Sequence, residues 1–296
     1  MDAADVERVG VVGCGLMGSG IVEVAARAGC AVTFIEGDDD LVAAGRRRID
    51  ASLSTAVERG KLEQSQREEI AGRVIGATSM DALRDADLVI EAATEQIEAK
   101  LAIFRTLSDR TRDHVVLASN TSSIPIGELA AATARPDRVI GMHFFNPPPV
   151  MPLVELIASS RTSEETFAFA RAVAERFGKT TVRSLDRAGF IVNRLLVPFL
   201  NDAARIYDEE LATREDIDTA ISLGLGHPMG PLQLADLIGI DTCVFIAEVL
   251  AREFDDPRYE SPPVLRRMVA EGHLGRKSGR GFYDYGRRDG SASPTA

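Results

Sequence analysis

Cysteine is scarce in this sequence. Cys14, Cys30 and Cys243 are odd in number, widely spaced and outside any CxxC pair, which excludes a disulfide framework and a thiolate metal site. Positive charge is in deficit too. Thirty-four Lys and Arg stand against 45 Asp and Glu, for a formal net charge of −11, and a surface of that sign repels nucleic-acid backbones and anionic lipid. An anionic ligand then needs local attraction, from a helix N-terminus or a few basic side chains. Long apolar runs are missing: none approaches the roughly 20 residues of a membrane span. The opening MDAADVERVG is acidic where a secretion signal is basic and then apolar. A cytoplasmic protein with no nucleic-acid, membrane or metal partner is expected. What remains, 45% hydrophobic and 27% charged residues over 296 positions, is the composition of an ordinary globular protein long enough for two domains.

The first half alternates short β-branched runs (residues 8–12, 31–35, 74–77, 88–91 and 114–119) with amphipathic stretches (17–28, 41–59 and 97–108). This βαβ rhythm implies a mostly parallel sheet covered by helices. Two further strands are expected at 138–144 and 153–157, then a helix over 164–177 and a strand over 180–184. From about 189 onward the pattern is helical, with helices expected over 189–210 (kinked at Pro198), 214–223, 231–254 with a break near Gly239, and 263–271.

The first strand runs into Gly13-Cys14-Gly15-Leu16-Met17-Gly18. In that context Gly13 permits a tight turn, Gly15 lets the backbone approach a pyrophosphate, and Gly18 lets helix and strand pack closely. The helix opening at Leu16 and Met17 offers free N–H groups to phosphate. Glu36 closes the second strand, where a carboxylate can hold the adenosine ribose and repel a 2′-phosphate, favouring NAD over NADP. A strand-end acid in a polar loop is the plainer reading. Arg46, Arg47 and Arg48 read as a solvated helix face. The expected architecture is α/β: a Rossmann-type, mostly parallel sheet domain over residues 1–187, an all-helical domain over 188–285 and a disordered tail over 286–296.

Of the four histidines, His143 alone ends a buried strand of the sheet domain, on the edge where open α/β sheets place ligands. The prolines in Asn146-Pro-Pro-Pro-Val-Met-Pro force a turn, and an antiparallel return sets residue 143 near residue 155. Glu155 stands on an otherwise apolar strand, where a buried carboxylate calls for a hydrogen-bonded mate. Such a pair beside a nicotinamide suits oxidation of a secondary alcohol: His143 removes the hydroxyl proton while Glu155 orients the ring. A structural salt bridge is the alternative. Ser119-Asn120-Thr121-Ser122-Ser123 lies at a strand's carboxyl end and is expected to line the same crevice, or else to cap the next helix.

With these residues in hand, the sequence resembles the L-3-hydroxyacyl-CoA dehydrogenase family, particularly its short-chain bacterial 3-hydroxybutyryl-CoA members. The likeness includes the glycine turn, Glu95 with Lys100, Ser119–Ser123, His143-Phe-Phe-Asn-Pro-Pro, Leu153-Val-Glu155, Gly189-Phe-Ile-Val-Asn193-Arg, His227-Pro-Met-Gly-Pro-Leu and Gly275-Arg-Lys-Ser-Gly-Arg-Gly-Phe-Tyr283. The resemblance implies that His143 and Glu155 are the catalytic pair, with Ser122 and Asn193 hydrogen-bonding substrate oxygens on either side of an interdomain cleft. It implies that Glu95, Lys100 and Asn120 contact the nicotinamide half of NAD, with Ser122 and His143 close to both ligands. The residues alone read Glu95 and Lys100 as a helix-start ion pair. Arg59 and Lys61 are the nearest basic residues for CoA phosphates, and a homodimer through the helical domain is implied. Family members commonly have Asp where this chain has Glu36, which keeps NADP as an alternative cofactor. The implied reaction is oxidation of (S)-3-hydroxybutyryl-CoA to acetoacetyl-CoA, or the reverse, in fatty-acid or butanoate metabolism. A same-fold dehydrogenase of a free hydroxy or sugar acid and a non-catalytic, crystallin-like binding protein are the alternatives.

Overall fold

The computed structural model describes residues 3–286; apart from Gly286, the expected disordered tail lies outside them. The described residues form two units, the first ending at Phe190 and the second starting at Ile191.

The first unit carries strands β1 (Arg8–Val12), β2 (Ala31–Ile35), β3 (Val74–Ala77), β4 (Leu88–Glu91), β5 (Val116–Ser119), β6 (Val139–Phe144), β7 (Leu153–Ala158) and β8 (Thr180–Leu185). They make one eight-stranded sheet in the order β3-β2-β1-β4-β5-β6-β7-β8. Every neighbouring pair is parallel except β6 and β7, which run antiparallel. Strands β4, β5 and β6 are buried along their whole length, as expected where helices cover both faces of a parallel sheet. The covering helices are α1 (Leu16–Arg27), α2 (Asp39–Glu58), α3 (Gln64–Gly72), α4 (Ile97–Arg110), α5 (Ile126–Ala131) and α6 (Glu164–Arg176). The N-cap side chain accepts from the helix at α2, where Asp38 takes the Leu41 N–H, and at α6, where Ser163 takes the Thr166 N–H.

Helix α3 has no counterpart in the sequence reading, because Ile70 is its one buried residue and a single apolar position sets no period. A capping box between Glu63 and Gln66 defines its start instead. The arginines of α2 also differ from expectation. Arg46 donates to the Val74 and Ala71 carbonyls and Arg48 to the Cys14 carbonyl, so two of the three are tied to backbone rather than left on a solvated face.

The second unit is helical: α7 (Val192–Asp208), α8 (Arg214–Gly224), α9 (Pro231–Ile238), α10 (Ile240–Phe254) and α11 (Pro263–Ala270). Helix α7 starts three residues later than the periodicity suggests because Gly189 and Phe190 both adopt positive φ, 73° and 46°. For a phenylalanine, the left-handed region costs roughly 1–2 kcal/mol. Pro198 sits inside α7 without ending it. Gly239, at φ 106°, separates α9 from α10. Two buried carboxylates close this unit. Asp236 accepts from the Phe282 and Tyr283 N–H groups at 2.9 Å and from the Tyr285 hydroxyl at 3.0 Å. Asp218 accepts from the Leu232 N–H at 2.8 Å and the Tyr283 hydroxyl at 2.8 Å. Burial outweighs these donors at Asp236 and pushes its carboxyl above the usual range. A Cβ on Gly281 would lie 1.9 Å from Asp236 Oδ1, and one on Gly230 would lie 2.2 Å from the Asp218 Cβ. The glycine-rich signatures around residues 230 and 281 therefore make room for this staple.

Candidate active site

Strand order reverses at β1, whose neighbours are β2 on one side and β4 on the other. Open parallel sheets bind ligands at such a switch point, outside the carboxyl ends of the strands. The carboxyl ends of β1, β2, β4, β5 and β6 carry, in turn, Gly13, Glu36, Glu91, Ser119 and His143.

Gly13 turns the chain at φ 87°, and a Cβ there would lie 2.5 Å from the Ala93 Cα. On Gly18 a Cβ would lie 1.9 Å from the Gly13 carbonyl oxygen, so helix α1 can start here only with glycine at that position. Gly15 is different: a Cβ there would meet nothing within 4 Å. The protein's own packing leaves the space over Gly15 open, and no side chain caps α1. An open cradle at an uncapped helix N-terminus fits a pyrophosphate. Leu16, in the first turn of α1, is 69% exposed. Glu36 Oε1 accepts from the Cys14 N–H at 2.6 Å, which sets this carboxylate against the turn itself. Burial, and then the nearby Glu36, push the Cys14 thiol up to about 12, so it is an inert packing group.

Next along the edge lies a buried ion pair. Lys100 Nζ is 2.6 Å from Glu91 Oε2. The same oxygen accepts from the Ser119 hydroxyl at 2.7 Å, while Oε1 accepts from the Ala93 N–H at 2.8 Å. Lys100 is 1% exposed and Glu91 is fully buried. Glu95 is not the partner of Lys100. Its carboxylate accepts instead from the Thr121 hydroxyl at 2.7 Å and the Ser122 N–H at 3.2 Å, fastening the Ser119–Ser123 loop. That loop does not cap α5 either. The Ile126 and Gly127 N–H groups go to the Asp186 carboxylate at 2.8 and 2.7 Å. Asn120 Oδ1 accepts from the Phe144 N–H at 2.9 Å, which ties the loop to the strand that bears His143.

His143 and Glu155 face each other directly in the β6/β7 register. Their side chains meet, Nδ1 to Oε2, at 2.7 Å, with His143 7% exposed and Glu155 fully buried. The ring lies 4.7 Å from that of Phe145 and 5.6 Å from that of Phe190, with interplanar angles of 59° and 60°. Lys179 steadies the connecting loop by donating to the Pro148 and Met151 carbonyls at 2.6 and 2.9 Å, and its desolvated ammonium is held below the usual lysine range. Pro148 in turn rests on α1, where a Cβ on Gly20 would come within 2.6 Å of the proline ring. Two of the other histidines have structural neighbours: His227 is edge-on to Phe199 and His273 lies beside Glu271.

Asn193 is the second residue of α7, in the second unit. Arg59 and Lys61 are exposed at the end of α2 and make no side-chain hydrogen bond or ion pair among the described residues. Glu91, Asp186 and Phe190 were not anticipated. Glu91 carried a readable signal, an acid closing the apolar run Leu88-Val-Ile.

Comparison with known proteins agrees with this geometry. Residues 8–187 match the family model described as 3-hydroxyacyl-CoA dehydrogenase, NAD binding domain, and residues 189–285 match its C-terminal domain. A 3-hydroxybutyryl-CoA dehydrogenase of Mycobacterium tuberculosis is 51% identical over 282 residues, spanning 95% of this chain and 99% of that protein. The crystal structure of M. tuberculosis FadB2 superposes with a TM-score of 0.93 at 51% identity, over 95% of this chain and 99% of the other. That of (S)-3-hydroxybutyryl-CoA dehydrogenase from Ralstonia eutropha does so at 0.90 and 44% identity, over 96% and 100%. The histidine–glutamate hairpin and the glycine turn thus sit within a match that runs through both domain models, and the chain belongs to the 3-hydroxyacyl-CoA dehydrogenase family.

Proposed function

We propose that this protein catalyses the reversible, NAD-dependent oxidation of (S)-3-hydroxybutyryl-CoA, or a similar short 3-hydroxyacyl-CoA, to the 3-oxoacyl-CoA. The observation that carries the reading is the 2.7 Å contact between His143 and the buried Glu155, on the same sheet edge as a glycine turn that fits a dinucleotide.

NAD would be held by Gly13, Gly15, Leu16, Met17 and Gly18, with Glu36 toward the adenosine ribose and Glu95, Lys100 and Asn120 toward the nicotinamide half. When bound, NAD supplies the hydride acceptor. The protein handles the proton. With Nδ1 donating to the Glu155 carboxylate, Nε2 of His143 is the basic nitrogen, and it takes the proton from the substrate hydroxyl. Glu155 then stabilises the imidazolium so formed. In the reverse direction Nε2 returns the proton. Ser122, and Asn193 from the helical unit, hydrogen-bond the substrate oxygens, and Arg59 and Lys61 offer positive charge to the CoA phosphates. Fatty-acid or butanoate metabolism in the cytoplasm is the setting this chemistry fits. Leu195, Leu223, Leu225 and Phe245 are exposed on the helical unit, and the need to cover such apolar side chains supports a homodimer formed through that unit.

The test is oxidation of NADH, followed spectrophotometrically, with acetoacetyl-CoA, longer 3-oxoacyl-CoAs and free acetoacetate, each repeated with NADPH. Fastest turnover is expected for acetoacetyl-CoA with NADH. Turnover of the free acid but of no thioester overturns the proposal. Gly15→Ala separates binding from folding. Because the added methyl meets no protein atom within 4 Å, the thermal midpoint is expected to hold. NADH affinity should fall by roughly tenfold or more, since the methyl occupies the path of the pyrophosphate. Unchanged affinity by titration calorimetry would show that the cofactor phosphates lie elsewhere.

A further inference from the structure

Glu155 fixes His143 at one atom, Nδ1. A ring anchored at a single nitrogen can still swing, and the swing displaces Nε2, the atom that carries the proton. Two aromatic rings stand against that motion. Phe145 lies just past the end of β6, two residues after His143, whereas Phe190 comes from the far end of the first unit and meets the imidazole edge to face at 5.6 Å. To do so its backbone takes φ 46°, directly after Gly189 at φ 73°. A bulky residue in the left-handed region is an outlier that points to an over-determined position. Glycine or asparagine would hold this turn with less strain, but neither brings a ring to His143.

Resting on the function proposed above, we infer that Phe190 is a positioning residue for the reaction: its ring, held in place by a strained left-handed backbone, fixes the imidazole plane of His143 so that Nε2 stays aimed at the substrate hydroxyl. The same short segment also carries Asp186, whose carboxylate grips the Ile126 and Gly127 N–H groups just beyond the Ser119–Ser123 loop. Residues 186–190 therefore brace both the histidine and the start of α5. Phe190 is also part of the apolar cluster containing Ile126, Leu129 and Val139, so a purely packing role has to be told apart from a positioning one.

Phe190→Leu keeps an apolar side chain and removes the ring; Phe190→Tyr keeps the ring. Both are assayed with acetoacetyl-CoA and NADH beside the wild type and His143→Ala. Misplacement of a reacting group by about 1 Å can lower turnover roughly 100-fold, so kcat of the leucine variant is expected to fall by at least about tenfold. Its KM for NADH should stay near the wild-type value, and the tyrosine variant should recover most of the loss. Wild-type kcat in Phe190→Leu overturns the inference, as does an equal loss in both variants that follows their loss of thermal stability. If the leucine variant does not fold, Phe190→Met takes its place with the same outcomes. Retained turnover in His143→Ala defeats the assignment of the base itself; lost turnover there, with an undiminished leucine variant, defeats only the role of Phe190.

Discussion

Turnover of acetoacetyl-CoA with NADH should drop by about 10³- to 10⁴-fold when His143 is replaced by alanine, the upper part of the range for a general acid–base group. The size follows from the geometry. His143 is 7% exposed, hydrogen-bonded to Glu155 and in contact with two aromatic rings, so water that enters the space would be neither oriented nor matched in basicity. NADH affinity should change little, because the glycine turn and Glu36 belong to β1, α1 and β2 while His143 belongs to β6. Both quantities can be read from one protein preparation, turnover by absorbance and affinity by fluorescence titration. A variant that still turns over within about tenfold of wild type would remove His143 from the chemistry, since such a group ordinarily contributes at least 10²-fold.

The second large effect concerns stability. Lys100→Met should destabilise the fold by about 3–5 kcal/mol, the range for removing one partner of a buried ion pair. Glu91 would keep the Ser119 hydroxyl and the Ala93 N–H, but its charge would lose the ammonium 2.6 Å away. At about 2–4 °C per kcal/mol for a unit of this size, the melting temperature should fall by roughly 10 °C. Adding Glu91→Gln should restore more than half of that, because the amide oxygen still accepts from the Ala93 N–H, the amide nitrogen can donate to the Ser119 hydroxyl oxygen, and no charge is left stranded. If the single variant melts within about 2 °C of wild type, the pair contributes far less than its burial implies. If the double variant melts below the single one, the hydrogen bonds of Glu91 outweigh its pairing with Lys100.

Much of this site could be read from the residues before any coordinates. The β6/β7 register was legible because prolines in 147–152 leave little freedom in how the second strand returns, and because a carboxylate among Val154, Leu156 and Ile157 needs a mate. The turn at Gly13–Gly18 was legible because each glycine answers a separate steric demand. Glu91 carries the same signal as Glu155 but closes its strand, where an acid reads equally well as the start of a polar loop; Glu95, four residues on, then drew the pairing with Lys100 to itself. Asp186 was invisible since its partners, the Ile126 and Gly127 N–H groups, are 60 and 59 residues away and backbone donors leave no trace in a sequence. The left-handed backbone of Phe190 was equally hidden, because the residue type argues against it. Helix α3, lacking an apolar stripe, gave periodicity nothing to register.

The staple of the helical unit bears on how the chain is made. Asp218 and Asp236 are translated well before Phe282, Tyr283 and Tyr285, which supply much of their hydrogen bonding. On the ribosome, the sheet unit can reach its final form as soon as its own residues have emerged, since domains commonly fold in the order of their synthesis. The helical unit has to wait for nearly the last residues described. Until they arrive, Asp236 lacks its three donors and Asp218 its tyrosine hydroxyl, and α8 and α9 have a reason to stay hydrated and unlocked. A nascent chain stalled before residue 282 should thus carry a finished nucleotide fold and an open helical half.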